Sequence, residues 1–285
     1  MNNALLSHIE AEFQVKITKT EQVFGGDINQ TYVLHSSQSK FFLKLNSIEK
    51  ADMFEKQFKG LEILRNAKAI AVPEPYKWGF FEKDIYLLME YVEKGNPSAD
   101  FWRTFAQQLA ALHRNTAEQF GLDHNNYIGS LPQVNDQSSS WSEFYAEQRI
   151  LFLIKMAFDA KKCDSSDIRL AEKLCNKLDT LFPQEQPALL PGDLWSGNYM
   201  ICKDGKPVVF DPAVYFGHRE MDLGMMLLFG GFDQTIYHFY NEEFPLEKSW
   251  RERIDLTQLY PLLVHLNLFG GHYYNSVRNT LKKYH

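Results

Sequence analysis

Residues 189–222 read LLPGDLWSGNYMICKDGKPVVFDPAVYFGHREMD and hold an acid, an amide and a second acid at the spacing of a phosphoryl-transfer site. Asp193 and Asn198 stand five residues apart, and Asp211 follows a hairpin that an Asp-Gly pair predicts. In such a site one carboxylate receives a hydroxyl proton, while an amide and a carboxylate bind magnesium. We therefore predict Asp193 as the catalytic base and Asn198 and Asp211 as Mg²⁺ ligands beside ATP. The competing interpretation is that these side chains only cap turns.

Length and composition limit the class of protein. The chain has 285 residues, of which 45% are hydrophobic, and this predicts two lobes. No apolar run approaches the roughly 18 residues of a membrane span, the first residues lack an export signal, and the three cysteines show no metal-ligand spacing. We therefore expect a cytoplasmic protein without a membrane partner. The net charge of −6 disfavours a nucleic-acid partner.

The first 92 residues combine a short amphipathic helix with β-rich runs. A turn between two of the predicted strands contains Gly25, Gly26 and Asn29. Paired glycines let backbone N–H groups approach a bound group closely, so we predict that this turn contacts the phosphates of ATP. An ordinary hairpin turn is the alternative interpretation.

Lys44 lies in the middle of the otherwise apolar strand FFLKL. A buried ammonium group is costly without a partner, and in kinases that partner is the ATP phosphates together with a glutamate of the next helix. Here the helix predicted over 51–67 has Gln57 at the position expected for the glutamate. The alternative is a lysine whose ammonium group reaches water at the strand edge.

The linker EKGNP, residues 93–97, follows a nearly all-apolar strand that ends in Met89, Glu90 and Tyr91. We predict that these three residues pair with adenine as the hinge of an ATP site. The predicted organisation is an ATP-binding lobe over 1–92, the linker, and a catalytic and substrate lobe over 98–285. The fold class is α+β, with an antiparallel sheet plus helix followed by a mostly helical lobe. In the second lobe we predict helices over 141–160 and 165–181 and a last helix over 256–274.

Several residues of the second lobe allow more than one interpretation. The long loop over 120–141 is a candidate wall of the acceptor pocket, with flexible surface as the alternative. His113 is predicted to pack in the core. Asp222 begins an apolar helix. Its carboxylate is predicted to accept backbone N–H bonds, either as a cap of that helix or as a support of the catalytic loop. Trp195 either stacks on a sugar or packs in the core, and residues 218–220 either line the site or form local ion pairs.

Eight motifs along the chain resemble the fructosamine kinase (ketosamine 3-kinase) family, a branch of the aminoglycoside phosphotransferase and choline kinase-like group. They are GGDINQTY at 25–32, FLKLN at 42–46, MFE at 53–55, FGLDHNNYIGSLPQ at 120–133, GDLWSGN at 192–198, FDPAVYFGHREMDL at 210–223, LFGGF at 228–232 and LYPLLVHLNLFGG at 259–271. GDLWSGN and GHREMDL are highly specific for the family.

The resemblance implies a protein-kinase-like fold and ATP-dependent phosphorylation of the 3-hydroxyl of a ketosamine, whose sugar then leaves and restores the amine. Fructosamines, ribulosamines and erythrulosamines are the candidate acceptors. The sequence departs from the family at Pro191, where the family has histidine, and at Gln57, where it has glutamate. We expect that Gln57 hydrogen-bonds Lys44 without supplying a charge, and that Glu55 on another helix face cannot replace the missing acid.

Two other functions fit the same motifs. One is a kinase of the same fold that acts on an amino alcohol or an aminoglycoside. The other is a nucleotide-binding regulatory module with weak catalysis, which the two departures from the family pattern favour. The sequence indicates neither the oligomeric state nor the preferred amine.

Overall fold

The computed structural model describes residues 3–23 and 29–284 of the chain. Eleven strands and eleven α-helices are assigned there. The strands are β1 (Ile17–Val23), β2 (Gln30–Ser36), β3 (Lys40–Ser47), β4 (Pro75–Phe81), β5 (Asp84–Glu90), β6 (Asn126–Ile128), β7 (Leu131–Gln133), β8 (Ala188–Leu190), β9 (Tyr199–Ile201), β10 (Pro207–Val209) and β11 (Tyr215–Gly217). The helices are α1 (Asn3–Phe13), α2 (Ala51–Ala67), α3 (Phe101–His113), α4 (Trp141–Tyr145), α5 (Phe152–Asp159), α6 (Ser165–Cys175), α7 (Leu178–Leu181), α8 (Glu220–Phe229), α9 (Thr235–Glu243), α10 (Ile254–Phe269) and α11 (Tyr274–Lys283).

The N-terminal part is built on a five-stranded antiparallel sheet in the order β1-β2-β3-β5-β4. Side chains alternate between its two faces, as strand geometry requires. On one face Leu43 and Tyr86 pack against Leu5 and Ile9 of α1. On the other face the odd-numbered residues of β5, such as Leu87, pack against α2. The sheet is therefore covered on both sides, which explains why residues 85–89 in the interior of β5 carry no charge and are buried.

The C-terminal part is mostly helical, and its core is continuous with that of the sheet. One apolar cluster joins α2 and β5 to α3, β10 and α8, and a second fills the space between α4, α5, α6, α8 and α10. The linker also contacts the second part directly, because Gly95 N donates to Ile201 O at 3.0 Å. The predicted α+β fold, with an antiparallel sheet first and helices after it, is confirmed. The lobe boundary at 93–97 stays a prediction.

Four local predictions need correction. The helix predicted over 141–160 contains a π-helical turn at Ala146–Leu151 between α4 and α5, and the one predicted over 165–181 is interrupted between α6 and α7. The last predicted helix ends at Phe269, because Gly270 takes a left-handed φ of 81°. The segment 120–141, expected to be a loop, contains the β6–β7 hairpin.

No helix within residues 3–23 and 29–284 is both long and apolar enough to cross a membrane.

A buried ion pair joins the start of α8 to the turn before α10. Arg253 Nε donates to Glu220 Oε2 at 2.8 Å, and the second guanidinium nitrogen, Nη2, contacts the other carboxylate oxygen. Glu220 is 1% exposed and Arg253 is 8% exposed. Two parallel hydrogen bonds in a dry setting satisfy both groups, so removal of either partner leaves an uncompensated charge.

We expect the substitution Glu220→Ala to lower the free energy of unfolding by about 3–5 kcal/mol, because Arg253 stays buried without its anion. Urea denaturation of purified protein measures the change. Glu242→Ala is the control: its ion pair with Arg103 is exposed at the surface, and its loss should cost less than about 1 kcal/mol. Equal losses in the two variants would contradict the importance of the buried pair.

Candidate active site

A cleft of about 190 Å³ lies between the sheet, α2, the β6–β7 hairpin and the segments around β9 and β10. Five residues predicted from the sequence line it: Asn29, Lys44, Asp193, Asn198 and Asp211. They come from positions up to 182 residues apart in the chain, so only the tertiary fold brings them together. The cleft thus collects the predicted base, both predicted metal ligands and the strand lysine.

The loop that carries Asp193 is held against the segment after Asp211 by backbone contacts. Pro191 O accepts a hydrogen bond from Ala213 N at 2.8 Å. Gly192 has φ 78°, and a Cβ at this position would collide with the Ala213 carbonyl oxygen. Only glycine fits such a close approach in a left-handed conformation. Pro191 therefore takes part in anchoring the loop through its carbonyl group, which proline retains.

Asp222 links the loop that carries Asp193 to the core. Its Oδ1 accepts a hydrogen bond from Gly192 N at 3.2 Å, and its Oδ2 lies 3.1 Å from Nε2 of His113. His113 Nδ1 in turn lies 2.7 Å from the hydroxyl of Tyr240. Asp222 therefore supports the loop, the second of its two predicted roles. His113 packs in the core as predicted, with both ring nitrogens bonded.

Asn198 is fixed in place by its amide nitrogen. Nδ2 donates to the backbone oxygen of Asp193 at 2.8 Å and to Asp193 Oδ2 at 3.0 Å. The backbone oxygen of Asn198 accepts from Phe210 N at 3.0 Å, which closes the open end of the β9–β10 hairpin beside Asp211. The predicted meeting of Asn198 and Asp211 is thus observed. With its nitrogen engaged, the amide presents its oxygen as the remaining polar atom.

Asp211 has a left-handed backbone with φ 52°, which is unusual for a residue with a side chain. Such strain persists only where the surrounding structure holds it, and it is common at functional sites. The Asp211 Oδ1 atom accepts hydrogen bonds from Lys44 Nζ and, at 2.7 Å, from Gln57 Nε2. Strand β3 and helix α2 therefore both reach one oxygen of this carboxylate.

Lys44 is only 5% exposed, which contradicts the alternative of a lysine that reaches water. Its anion is Asp211 and not a glutamate of α2. Gln57 bonds Asp211 as well, so the hydrogen bond expected between Gln57 and Lys44 is replaced by a shared acceptor. Glu55 pairs with Lys59 at 2.6 Å, in agreement with the prediction that it points to another face of the helix.

The pKa of the Asp193 carboxyl group is shifted from its ordinary value. Loss of water around its carboxyl group raises the pKa to about 7, with a further increase from the negative charge of Asp211 and a smaller one from Asp222. The hydrogen bond from Asn198 opposes this shift. A carboxylate with a pKa near neutrality in a cleft is well matched to a proton acceptor at physiological pH.

The predicted hinge lies away from the described cleft. Met89 is buried in the core, and Glu90 is exposed, with its backbone N–H bonded to Glu74 O at 2.8 Å. Tyr91 receives Lys40 Nζ over its ring at 5.5 Å from the centroid. None of the three lines the cleft described above. The predicted phosphate contacts Gly25 and Gly26 lie outside the described residues, and Asn29 bonds Asn46 Nδ2 through its side-chain oxygen at 2.8 Å.

The wall of the cleft includes residues that the sequence does not mark individually. Asn126, Tyr127 and Gly129 line the cleft, which confirms that part of the 120–141 segment forms a wall. The Tyr127 hydroxyl donates to Asp52 Oδ2 of α2 at 2.8 Å, so the wall also contacts the first part of the chain. A run of Asn, Tyr and Gly between predicted helices is the sequence signal that could have indicated these wall residues.

Lys56 also lines the cleft and had not been predicted. Trp195 is 40% exposed at the cleft, with its ring over Gly197 and near Phe229, at a centroid distance of 6.2 Å. Arg219 is buried and its Nη2 atom pairs with Glu185 Oε1 at 2.8 Å, so the 218–220 run forms ion pairs in the core.

The donor set in the cleft fits magnesium. Asn198 and Asp211 supply two oxygen donors, and no group of three or more His, Cys, Asp or Glu side chains among residues 3–23 and 29–284 forms a protein-only metal site. Mg²⁺ is usually held by one or two protein oxygens together with substrate phosphates and water. Two oxygens beside a buried lysine therefore suit a metal that arrives with a nucleotide.

Superposition on solved structures identifies the type of fold. A Thermobifida fusca protein assigned to the fructosamine-3-kinases superimposes with a TM-score of 0.88 at 34% identity, covering 99% of this chain and 98% of that one. The aminoglycoside phosphotransferase APH(4)-Ia superimposes with a TM-score of 0.63 at 15% identity, covering 99% and 97%. The second likeness shows the fold alone, and it confirms the predicted protein-kinase-like architecture.

Sequence comparisons agree with the structural ones. A Synechocystis protein named as a probable ketoamine kinase is 38% identical over 94% of this chain and 90% of its own length. The protein-ribulosamine 3-kinase of Arabidopsis thaliana chloroplasts is 36% identical over 94% of this chain and 83% of its own. The family model for fructosamine kinase matches residues 1–285. With the cleft geometry described above, these matches show that the chain belongs to the fructosamine kinase family.

Proposed function

We propose that the protein transfers the γ-phosphoryl group of ATP to the 3-hydroxyl of ketosamines, either free or attached to proteins. The observation that carries this proposal is the convergence of Asp193, Asn198 and Asp211 on one cleft beside the buried Lys44. Family membership supports the choice of ketosamines as acceptors, and so does the relative named for ribulosamines.

Asp193 is proposed as the proton acceptor. Its carboxyl oxygen Oδ2 is fixed by Asn198, and its backbone is fixed through the Gly192 contacts, so the group is oriented before an acceptor arrives. Phosphoryl transfer has a loose transition state, and the base contributes mainly orientation and late removal of the proton. As the new O–P bond forms, the bond between the γ-phosphorus and the bridging oxygen of ATP breaks and ADP leaves, while the proton passes from the attacking hydroxyl to the Asp193 carboxylate.

Asn198 and Asp211 are proposed to hold magnesium, and Lys44 to contact the phosphates of ATP. Bound Mg²⁺ would neutralise the charge that develops on the transferred group. Lys44 bonds Asp211 in the structure, so the lysine is already positioned at the metal ligand. Asn29 and the Gly25-Gly26 turn are proposed to line the phosphate path, and Met89, Glu90 and Tyr91 to form the adenine hinge.

The division into an ATP-binding lobe over 1–92, a linker over 93–97 and a catalytic lobe over 98–285 completes the proposal. The end of the sheet at Glu90 and the start of α3 at Phe101 support it. We also propose a cytoplasmic location, which rests on the sequence arguments above.

The deciding experiment is a turnover assay with Mg-ATP and four acceptors: ribulosyl-lysine, fructosyl-lysine, choline and an aminoglycoside. We expect phosphorylation of at least one ketosamine, with the product phosphate on the 3-hydroxyl as located by NMR. Turnover of choline or the aminoglycoside without turnover of a ketosamine would overturn the proposal. Tight Mg-ATP binding by calorimetry without any product would favour a regulatory module instead.

Asp193→Asn should lower kcat for the ketosamine by roughly a hundredfold to ten-thousandfold, because the amide cannot accept the hydroxyl proton. The affinity for Mg-ATP should change by less than about threefold, since Asp193 is not a proposed metal ligand. Steady-state kinetics and calorimetry measure the two quantities. Asp204→Asn, in the exposed turn of the β9–β10 hairpin, is the control and should keep normal kcat. A normal kcat in Asp193→Asn would exclude the proposed base.

The raised pKa of Asp193 also predicts a pH dependence of stability. Its folded pKa of about 7 lies above the ordinary 3.8, so the native state holds the proton more tightly than the unfolded chain does. As the pH rises from about 4 to about 7, the unfolded chain releases this proton while the native state retains it. The free energy of unfolding therefore falls over this pH range.

Without nucleotide and metal, Asp193→Asn should then stabilise the protein more at pH 8 than at pH 5.5. We expect the gain in Tm to be larger by roughly 3 °C at the higher pH. Differential scanning calorimetry at both pH values measures the gain. The opposite order, or a gain that does not depend on pH, would show that Asp193 has an ordinary pKa in the folded protein.

A further inference from the structure

Arg149 is a fully buried cation without an anionic partner. Its side chain is 0% exposed, and the ion pairs formed among residues 3–23 and 29–284 do not include it. Burial of an unpaired charge is costly, and an aliphatic residue of similar volume would fill this space at lower cost. Packing alone therefore does not account for an arginine at this position.

The charge of Arg149 is stabilised by aromatic rings and by oxygen dipoles. The guanidinium carbon lies 4.6 Å from the ring centroid of Phe144, 4.4 Å from that of Tyr215 and 5.1 Å from that of Tyr260. Cation–π contacts of this kind are strongest when desolvated. The Nη1 atom donates to the carbonyl oxygens of Val134 and, at 3.0 Å, of Gln148.

From Arg149 a chain of buried hydrogen bonds leads to the wall of the cleft. The Nη2 atom of Arg149 donates to Asn135 Oδ1 at 2.8 Å, and Asn135 Nδ2 donates to Asn126 Oδ1 at 2.9 Å. Asn126 Nδ2 donates to Val214 O at 2.8 Å. The side chains of Arg149, Asn135 and Asn126 are all at most 5% exposed. The chain therefore connects Arg149 both to the cleft wall and to the segment that follows Asp211.

A second branch closes this network. Gln133 Nε2 donates to Asn126 Oδ1 at 2.7 Å and to Ala213 O at 3.0 Å, while Gln133 Oε1 accepts from the Tyr260 hydroxyl at 2.6 Å. The ring of Tyr260 is one of those that face Arg149. Both polar atoms of the Asn126 side chain are thus bonded within the network, and Asn126 lines the cleft together with Tyr127 and Gly129.

The helix that carries Arg149 is irregular at this residue. Ala146–Leu151 forms a π-helical turn between α4 and α5. Such turns are rare and frequently occur at functional sites, because they redirect side chains at a cost in helix stability. The irregularity is a second, independent sign that the direction of Arg149 matters.

We infer that Arg149 is a positioning residue that fixes the 126–133 hairpin as the acceptor wall of the cleft and so sets the affinity for the sugar. The inference rests on the proposed function. Its guanidinium group orders Asn135, Asn135 and Gln133 order Asn126, and the ordered hairpin holds Tyr127 at the cleft, where its hydroxyl bonds Asp52 of α2. The role is separate from that of Lys44 and Asp211, to which Arg149 makes no contact.

Steady-state kinetics of Arg149→Met test the inference, with the wild-type enzyme and its best ketosamine. We expect the KM for the ketosamine to rise about tenfold or more, the effect of a buried acceptor left unsatisfied at Asn135. The KM for ATP should change by less than about twofold, because the nucleotide contacts lie on other elements. Arg149→Lys should fall between wild type and Arg149→Met, since it restores the charge but not the planar fork.

Asp167→Ala is the matched control for lost stability. Asp167 is 1% exposed and bonds the start of α6 and the hydroxyl of Tyr274, away from the cleft. It should lower Tm but leave the KM for the ketosamine unchanged. Where Arg149→Met does not fold, Asn135→Ala replaces it, because this variant breaks the same chain while the cation stays in place.

An unchanged ketosamine KM in the folded Arg149→Met or Asn135→Ala variant overturns the inference, as does an equal rise in the KM for ATP. Failure of the proposed function is seen separately, because the wild-type enzyme would then turn over no ketosamine. In that case hydrogen exchange decides: faster exchange of residues 124–135 in Arg149→Met than in Asp167→Ala supports the positioning role, and equal exchange rejects it.

Discussion

The contact between Lys44 and Asp211 is the constraint on which the site depends. A lysine that is 5% exposed is costly without a partner, and the segment after β10 supplies the Asp211 carboxylate by packing against the face of the sheet. Gln57 of α2 reaches the same oxygen, so β3, α2 and the segment that carries Asp211 meet at one atom. The left-handed backbone of Asp211 is the strain that this convergence requires.

Polar groups are kept in the core where they hold loops in place. Asp222 accepts a hydrogen bond from the backbone N–H of Gly192, beside Asp193, and His113 bonds the other oxygen of Asp222. Around Arg149, a separate set of amide side chains bonds the carbonyl groups of Ala213 and Val214. Loops cannot satisfy their backbone groups as helices and strands do, so buried side chains provide the missing partners. Two independent polar networks therefore support the two sides of one cleft.

Much of the site was predictable because its chemistry needs particular residue types in a short stretch. Asp193, Asn198 and Asp211 lie within 19 residues, and the Asp-Gly turn between them predicts their approach. Lys44 was visible because a charge interrupts an apolar strand. Hydrophobic periodicity predicted the bounds of α2 and the β-rich runs that form the five-stranded sheet. The π-helical turn has no signal in the local spacing of residues. The β6–β7 hairpin was missed because its strands are only three residues long, although Gly129 and Ser130 form the two-residue turn that joins them.

The sequence by itself determined the family, the fold class and the residue types of the proposed phosphoryl-transfer site, since these are written in local spacing and in specific motifs. Only the tertiary structure decided which side chains form ion pairs and hydrogen bonds with one another. It gave Lys44 the carboxylate of Asp211 as its anion, directed Gln57 to the same oxygen, and bonded Asp222 to the loop that carries Asp193. It also raised the pKa of Asp193, because desolvation and the charge of Asp211 arise only when separated segments pack together.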